Sequence, residues 1–525
     1  MKSTLFLSSL LLGTSGMTAQ VIPQEEIKQV TNSRKNILFI AVDDLKPLLG
    51  CYGDPIAQTP HLDQLAARGT LFSHAYCQQA VSGPSRASLL TGMCPDNTKV
   101  WDLKTFIRAA NPDVVTLPQQ FKNNGYQVAG IGKIYDPRSV DKGADVLSWS
   151  DAFMEHTTFL NSDYQQPVFS QYQSPETRKL YNQYQVEAKA KGLAKKNEIE
   201  NYIRECIKPS VESVHVPDDA YTDGAIANGA VSFIEKYNSD KPFFLAVGFK
   251  KPHLPFCAPT SYWDLYKREE MPLAAYRKKA ENSPDFAYHQ SGELQSYTDI
   301  PSIISFTDID NAILPDSKAR ELIHGYYACV SYIDAMVGQV LDALNKKGLA
   351  DHTIIVLWGD HGWHLGDHGL WNKHSNFEQA THVPMLIVDP SSRPQKVNAP
   401  VEFLDIYPTL CELSGISLPE HLDGQSLAGV VTGKVAETAI RPYATSQFHR
   451  GNRMGYSIRD ERYRYTIWVD WKNRKTDVTT VLAEELYDYQ SDPNETVSVV
   501  DKPEHKAALQ QMRNYWIEYI NARIN

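Results

Sequence analysis

The chain has 525 residues, room for two or three domains, and its 42% hydrophobic and 22% charged content describes a folded globular protein, not a disordered or fibrous one. A formal net charge of −10 excludes a broad basic surface for nucleic acid. Any anionic ligand must therefore meet positive charge gathered locally in a pocket.

The chain opens with MKSTLFLSSLLLGTSGMTAQ, one early lysine and an apolar stretch ending in small residues near Ala19. This predicts a signal peptide over 1–19, too short to span a bilayer, and an exported protein, periplasmic or secreted. No later run reaches the roughly 20 apolar residues of a spanning helix, so no membrane partner is expected. Cys51, Cys77, Cys94, Cys206, Cys257, Cys329 and Cys411 are scattered without a CxxC pair, which predicts buried small residues and not a zinc or redox site.

Four apolar runs predict buried strands, and each ends in polar residues: NILFIAV (36–42) in Asp43-Asp44, QVAGIG (127–132) in Lys133, PFFLAVGF (242–249) in Lys250-Lys251-Pro252-His253, and HTIIVLWG (352–359) in Asp360-His361. Helical patterns separate them, the longest over 317–348. Apolar strands alternating with helices predict an α/β sheet covered on both faces, with ligands outside the carboxyl ends of its strands. The stretch VSGPSRASLLTG (81–92) predicts a helix with Ser82 at its exposed mouth and Arg86 in its first turn, where an arginine fork suits an oxyanion. Residues 140–210, with a charged helical piece over 187–206, and residues 271–314 read as long excursions able to wall a site. Past Arg441 short alternating strands and a closing amphipathic helix predict a smaller α+β domain. The expected division is a catalytic domain over 20–437 and a C-terminal domain over 438–525.

Asp43, Asp44 and Asp360 are three carboxylates at two strand ends, hard ligands suited to Ca²⁺ or Mg²⁺. In the histidine-rich run 359–384, only His361 is expected at the metal.

SGPSRASLLTG matches the Cys/Ser-x-Pro-Ser-Arg signature of type I sulfatases. AVDDLKPLLGCYGD, FFLAVGFKKPHLPF, DHGWHLGDHGLWNKHSNFEQATHVP and MGYSIRDERYRYTIWV extend the likeness over nearly the whole mature chain and resemble the family's branch that removes 2-O-sulfate from iduronate. The resemblance implies an alkaline-phosphatase-like fold, a large mixed sheet between helices plus a smaller C-terminal antiparallel sheet. It implies a formylglycine (3-oxoalanine) made from Ser82, whose hydrated aldehyde offers one hydroxyl to attack sulfur and a second to release sulfate. A serine there resembles the bacterial form matured by a radical-SAM sulfatase-activating enzyme. Carried over by position, Asp43, Asp44, Asp360 and His361 bind Ca²⁺ with the modified Ser82. Arg86 stabilises the hydrate, while Lys133, His253 and Lys373 hold sulfate and assist the leaving oxygen.

One position departs from the family pattern: GKIYDPR has Asp136 where a histidine would take a proton during sulfate release. Either Asp136 replaces that base or the step uses another. The expected substrate is a non-reducing-end 2-O-sulfated uronate, iduronate or 4,5-unsaturated, of a heparin- or chondroitin-type glycosaminoglycan. Lys46, Lys250, Lys251 and His374 are candidates for its carboxylate, and Trp363 or Trp371 for its ring. Another sulfated carbohydrate, a phosphatase or phosphonate hydrolase of the same superfamily, and a non-catalytic glycan-binding protein remain the alternatives.

Overall fold

The computed structural model describes residues 34–301 and 314–524, so the expected signal peptide and part of the 271–314 excursion lie outside the described residues. All four expected strands form, as β1 (Asn36–Val42), β3 (Gln127–Gly132), β4 (Phe243–Phe249) and β5 (Thr353–Gly359). They join β2 (Thr70–Tyr76), β6 (His382–Val388), β7 (Gln395–Val397) and β8 (Val401–Glu402) in an eight-stranded sheet of order β7-β2-β6-β5-β1-β4-β3, with β8 also on β2. The strands β3, β4, β1 and β5 run parallel, whereas β6 is antiparallel to both its neighbours.

Period-two alternation explains why these strands read as unbroken apolar runs. In β1, Leu38, Ile40 and Val42 enter one core and Ile37, Phe39 and Ala41 the other, on the opposite face. Helices cover both faces, including α1 (Ser82–Thr91) on one and α4 (Thr222–Lys236) and the long α6 (Asp316–Lys346) on the other. The charged piece expected over 187–206 is two helices, α2 (Pro175–Ala190) and α3 (Lys196–Cys206), broken where Gly192 takes a φ of 87°. The 271–314 excursion contributes the short α5 (Gly292–Gln295), and α7 (Glu378–Thr381) leads into β6.

A second sheet of four antiparallel strands follows, β9 (Ala444–Arg450), β10 (Arg453–Arg459), β11 (Tyr463–Lys472) and β12 (Lys475–Asp488). Met454, Tyr456, Ile458, Tyr465 and Ile467 pack with Leu509, Met512 and Trp516 of α8 (Lys506–Arg523). Polar bonds fasten this layer beside α1. The amide of Gln447 donates to the Gln78 carbonyl at 2.7 Å and the Ser446 hydroxyl to that of Cys77 at 2.6 Å. The buried Arg464 of β11 reaches Glu378 of α7. All seven cysteines are free thiols, five of them buried. Among the described residues no helix is long and apolar enough to cross a membrane.

Candidate active site

Sheet register brings the four polar strand ends together. Val42 of β1 lies level with Gly359 of β5 and with Phe249 of β4, and Gly132 of β3 lies level with Gly248. The next residues, Asp43-Asp44, Asp360-His361, Lys250 and Lys133, therefore share one rim. Gly132 adopts a φ of 80° against the Gly248 carbonyl, a close approach that leaves no room for a Cβ. Asp44 takes the left-handed conformation (φ 58°), and its amide donates to Asp360 Oδ1 at 2.8 Å.

The helix α1 points its N-terminus at this rim. Ser82 is not at an exposed mouth: it is 2% accessible, because the carboxylates and Lys133 close over it. Its Oγ lies 3.3 Å from each of Asp43 Oδ1, His361 Nε2 and Lys133 Nζ. Arg86 lies deeper in the same helix. It is fully buried, with Nε on Asp360 Oδ2 at 2.9 Å, Nη2 on Asp43 Oδ1 at 3.0 Å and Nη1 on the carbonyls of Lys133 and Ile134. Its fork grips two carboxylates of the chain.

Two overlapping sets of donors suit a divalent metal. One ligand atom each from Asp44, Asp360 and His361 lie within 4.8 Å of one another, as do those of Asp43, Asp44 and His253. Hard oxygen donors dominate, which fits Ca²⁺ or Mg²⁺ better than zinc. His361 Nδ1 lies 3.0 Å from the Gly362 carbonyl, a bond it makes by donating, and this sets Nε2 toward Asp44 at 3.2 Å. Burial dominates Asp44 and raises its carboxyl above the ordinary range despite His253 and Lys373 nearby. Asp43, equally buried, is instead held well below that range by Lys133 and Arg86. A bound cation relieves the cost that burial imposes on Asp44, so the residues present fit the group.

Lys133 Nζ lies 2.6 and 2.7 Å from the Asp43 oxygens, and Lys373 Nζ lies 3.0 Å from Asp44 Oδ2. The His253 ring is at the same point, Nε2 3.8 Å from Asp44 Oδ2, and is raised above the ordinary histidine value by Asp44 and Glu293 against its burial. Glu293 of α5, a residue no motif marks, joins the two cations: its carboxylate is 3.1 Å from His253 Nε2 and 3.0 Å from Lys373 Nζ. Only its place in the 271–314 excursion pointed to it.

A cavity of about 620 Å³ opens beside this cluster, lined by Asp43, Lys133 and His253 and also by Arg138, His156 and Lys250. Asp136 lies in its wall, 1% exposed, with both carboxylate oxygens on Arg138, at 2.8 Å from Nε and 2.7 Å from Nη2. Lys250 Nζ sits 3.4 Å from His156 Nε2. Burial and Lys250 push that imidazole down to about 4, so it accepts from Lys250.

The remaining sugar-contact candidates fall elsewhere. Lys251 is spent on its own loop and on a distant segment, donating to the carbonyls of His253 and Pro255 at 2.9 and 2.6 Å and to the Gln171 side chain at 2.9 Å. Its neighbour Lys250 is the one at the cavity. His374 is pushed down to about 3 by burial and by Lys373, so it carries no charge for a carboxylate. Trp363 is 1% exposed and offers its ring to Lys373, whose Nζ is 4.7 Å from the centroid, not to a sugar. Lys46 is held by Gln379 and Asp367, and Trp371 is buried against Leu365 and Leu314.

This rim of carboxylates around a helix-borne serine, with lysines and a histidine converging on it, defines a class of hydrolase of anionic esters, and sequence comparison names it. Residues 35–416 match the Sulfatase family, and residues 366–521 match the family described as N-sulphoglucosamine sulphohydrolase, C-terminal. The chain belongs to the sulfatase family and is a sulfuric ester hydrolase. It is 31% identical to the iduronate 2-sulfatase of Mus musculus over 91% of this chain and 93% of that protein, and 31% identical to the Homo sapiens enzyme over 88% and 90%. A protein solved in complex with its substrate D-glucosamine-2-N,6-O-disulfate shares the fold, with a TM-score of 0.69 at 21% identity over 94% of this chain and 98% of that one.

Proposed function

We propose that the protein is an exported exolytic sulfatase that removes the 2-O-sulfate of a uronic acid, iduronate or 4,5-unsaturated, from the non-reducing end of a glycosaminoglycan fragment. The observation that carries this reading is that one cavity is lined both by cations of the carboxylate cluster and by two further cations that the cluster does not pair. Lys133, Lys373 and His253 belong to the carboxylate cluster, whereas in the same cavity Lys250 Nζ meets His156 and the Arg138 guanidinium meets Asp136. A 2-O-sulfated uronate has the matching pair of negative groups. The similarity to iduronate 2-sulfatases over most of both chains supports the same substrate class.

In this reading Asp43, Asp44, Asp360 and His361 hold one Ca²⁺ together with the oxidised Ser82. When bound, the ion neutralises the buried carboxylates and favours the ionised form of a hydroxyl beside it. The formylglycine made from Ser82 by a maturing radical-SAM enzyme supplies the nucleophile that a plain serine lacks. Arg86 keeps Asp43 and Asp360 at fixed spacing. Lys133 and Lys373 bind sulfate oxygens, and His253 holds a proton for the departing sugar oxygen, with Glu293 orienting its ring.

Desulfation of defined disaccharides tests the reading. The 2-O-sulfated uronate is expected to turn over at least about tenfold faster in kcat/KM than a 6-O-sulfated hexosamine, the worth of one lost ion pair in a partly buried site. Equal rates on the two refute it. Elemental analysis is expected to find about one calcium per chain, the content of a single oxygen-rich site, and about two zinc ions would overturn the metal assignment. Peptide mass spectrometry is expected to find Ser82 lighter by about 2 Da, the two hydrogens lost on oxidation to the aldehyde that replaces a weak nucleophile.

A further inference from the structure

We propose that Arg138 is a specificity-determining residue that receives the second anionic group of the substrate, the uronate carboxylate, and that Asp136 is the positioning residue that aims it. This deepens the reading of the substrate given above and rests on it.

Asp136 is buried and Arg138 is not: the arginine side chain is 56% exposed, and both residues line the cavity that also holds Lys133, His253 and Lys250. Asp136 grips the guanidinium side-on, through Nε at 2.8 Å and Nη2 at 2.7 Å, and accepts the Arg138 amide at 3.0 Å. A tight turn across Pro137, closed by the Ser139 amide on the Asp136 carbonyl at 2.9 Å, fixes the two residues on the same side. Side-on pairing uses two of the five guanidinium N–H groups and leaves three, on Nη1 and Nη2, for an anion in the cavity that Arg138 lines. An exposed arginine ordinarily spends side-chain entropy on binding an anion; here that freedom is already removed.

The same geometry makes Asp136 a poor proton acceptor. Both of its oxygens are occupied, and Arg138 and Lys133 hold its carboxyl below the ordinary range although burial opposes them. A neutral imidazole at this position has one acceptor nitrogen and cannot grip a guanidinium with two bonds. In GKIYDPR, Asp136 therefore serves as an anchor and not as a base. Two further carboxylates, Asp141 and Glu155, line the cavity, so an anion there depends on cations held at short range.

Steady-state kinetics on a 2-O-sulfated uronate disaccharide, its carboxyl-reduced alcohol and 4-nitrophenyl sulfate test this. Arg138→Gln is expected to raise KM about tenfold or more on the carboxylated ester and less than about twofold on the other two, with kcat retained. Arg138→Lys is expected to recover part of the loss. Asp136→Asn is expected to raise the same KM by a smaller factor and to leave kcat within about twofold. A fall in kcat of about a hundredfold or more on all three esters in Asp136→Asn makes Asp136 the base and overturns the proposal. So does an equal rise in KM on all three in Arg138→Gln. If Arg138→Gln fails to fold because Asp136 is left unpaired, Asp136→Asn combined with Arg138→Gln removes both charges and gives the same readout. A wild-type preference for the carboxylated ester that survives Arg138→Gln refutes this inference alone. A wild-type enzyme indifferent to the carboxylate refutes it together with the substrate reading.

Discussion

Two arginines of the site grip aspartates in different surroundings. Arg86 is entirely buried and clamps Asp43 and Asp360 of two neighbouring strands. Arg138 is more than half exposed and holds a single aspartate two residues away, in a turn. In the first case the pair lies where water cannot replace it, and its loss strands carboxylates in the core. In the second the aspartate is buried but the arginine is not, so solvent screens much of the interaction and part of the guanidinium stays free. Loss of Arg86 therefore costs fold stability, whereas Arg138 can change at little cost to the fold.

The largest expected effect lies at the rim. Ser82→Ala should lower kcat by at least about 10⁴-fold, as removal of a nucleophile does in a preorganised site, while the thermal midpoint changes little. A residual rate near wild type breaks the assignment of Ser82.

Arg86→Met should destabilise the protein by about 3–5 kcal/mol, the cost of leaving buried charges without their partner. Urea unfolding measures it, and added Ca²⁺ should restore part of the loss. A change below about 1 kcal/mol would mean that Arg86 behaves like the exposed Arg138, erasing the contrast.

The buried histidines give the pH dependence its sign. Burial pushes His364 down to about 3 and His382 down to about 4, from 6.5. The unfolded chain takes up protons at these sites below pH 6.5 and the folded chain does not. Stability is therefore full above pH 6.5 and falls as pH drops toward 4, by up to about 1.4 kcal/mol per pH unit for each histidine. His364→Gln should flatten the urea-midpoint profile by one proton, and an unchanged slope would refute its buried neutral state.

The smallest effects separate two adjacent lysines. Lys251→Met should lower stability by about 1.5–3 kcal/mol through its lost charged hydrogen bonds, with KM unchanged. Lys250→Met should instead raise KM for the carboxylated substrate several-fold, about 1 kcal/mol of binding, with little change in the thermal midpoint. The reverse pattern would exchange their roles.

Strand boundaries were legible because an apolar run covered on both faces has to stop where its first charge appears. The runs ending at Val42, Gly132, Phe249 and Gly359 stop where the observed strands do. The rim residues Asp43, Asp44, Asp360, His361 and Lys133 follow from those ends. Glu293 was not legible, since it comes from an excursion without periodicity and reaches His253 and Lys373 only through the folded chain. Nor was the division between Lys250 and Lys251, because beyond a strand end the two-residue alternation no longer says which way a side chain points.

By itself the amino-acid sequence determined the alternation of buried strands and helices, the charged residue at each strand end and the helix that begins at Ser82. These are local patterns, set by hydrophobic period and by the point where it breaks. Tertiary structure alone decided that Ser82 is enclosed, that the Arg86 fork closes on carboxylates and that Trp363 supports Lys373. Each depends on which distant groups arrive within about 3–5 Å, where Coulomb and hydrogen-bond energies become decisive, and chain spacing carries no measure of that distance.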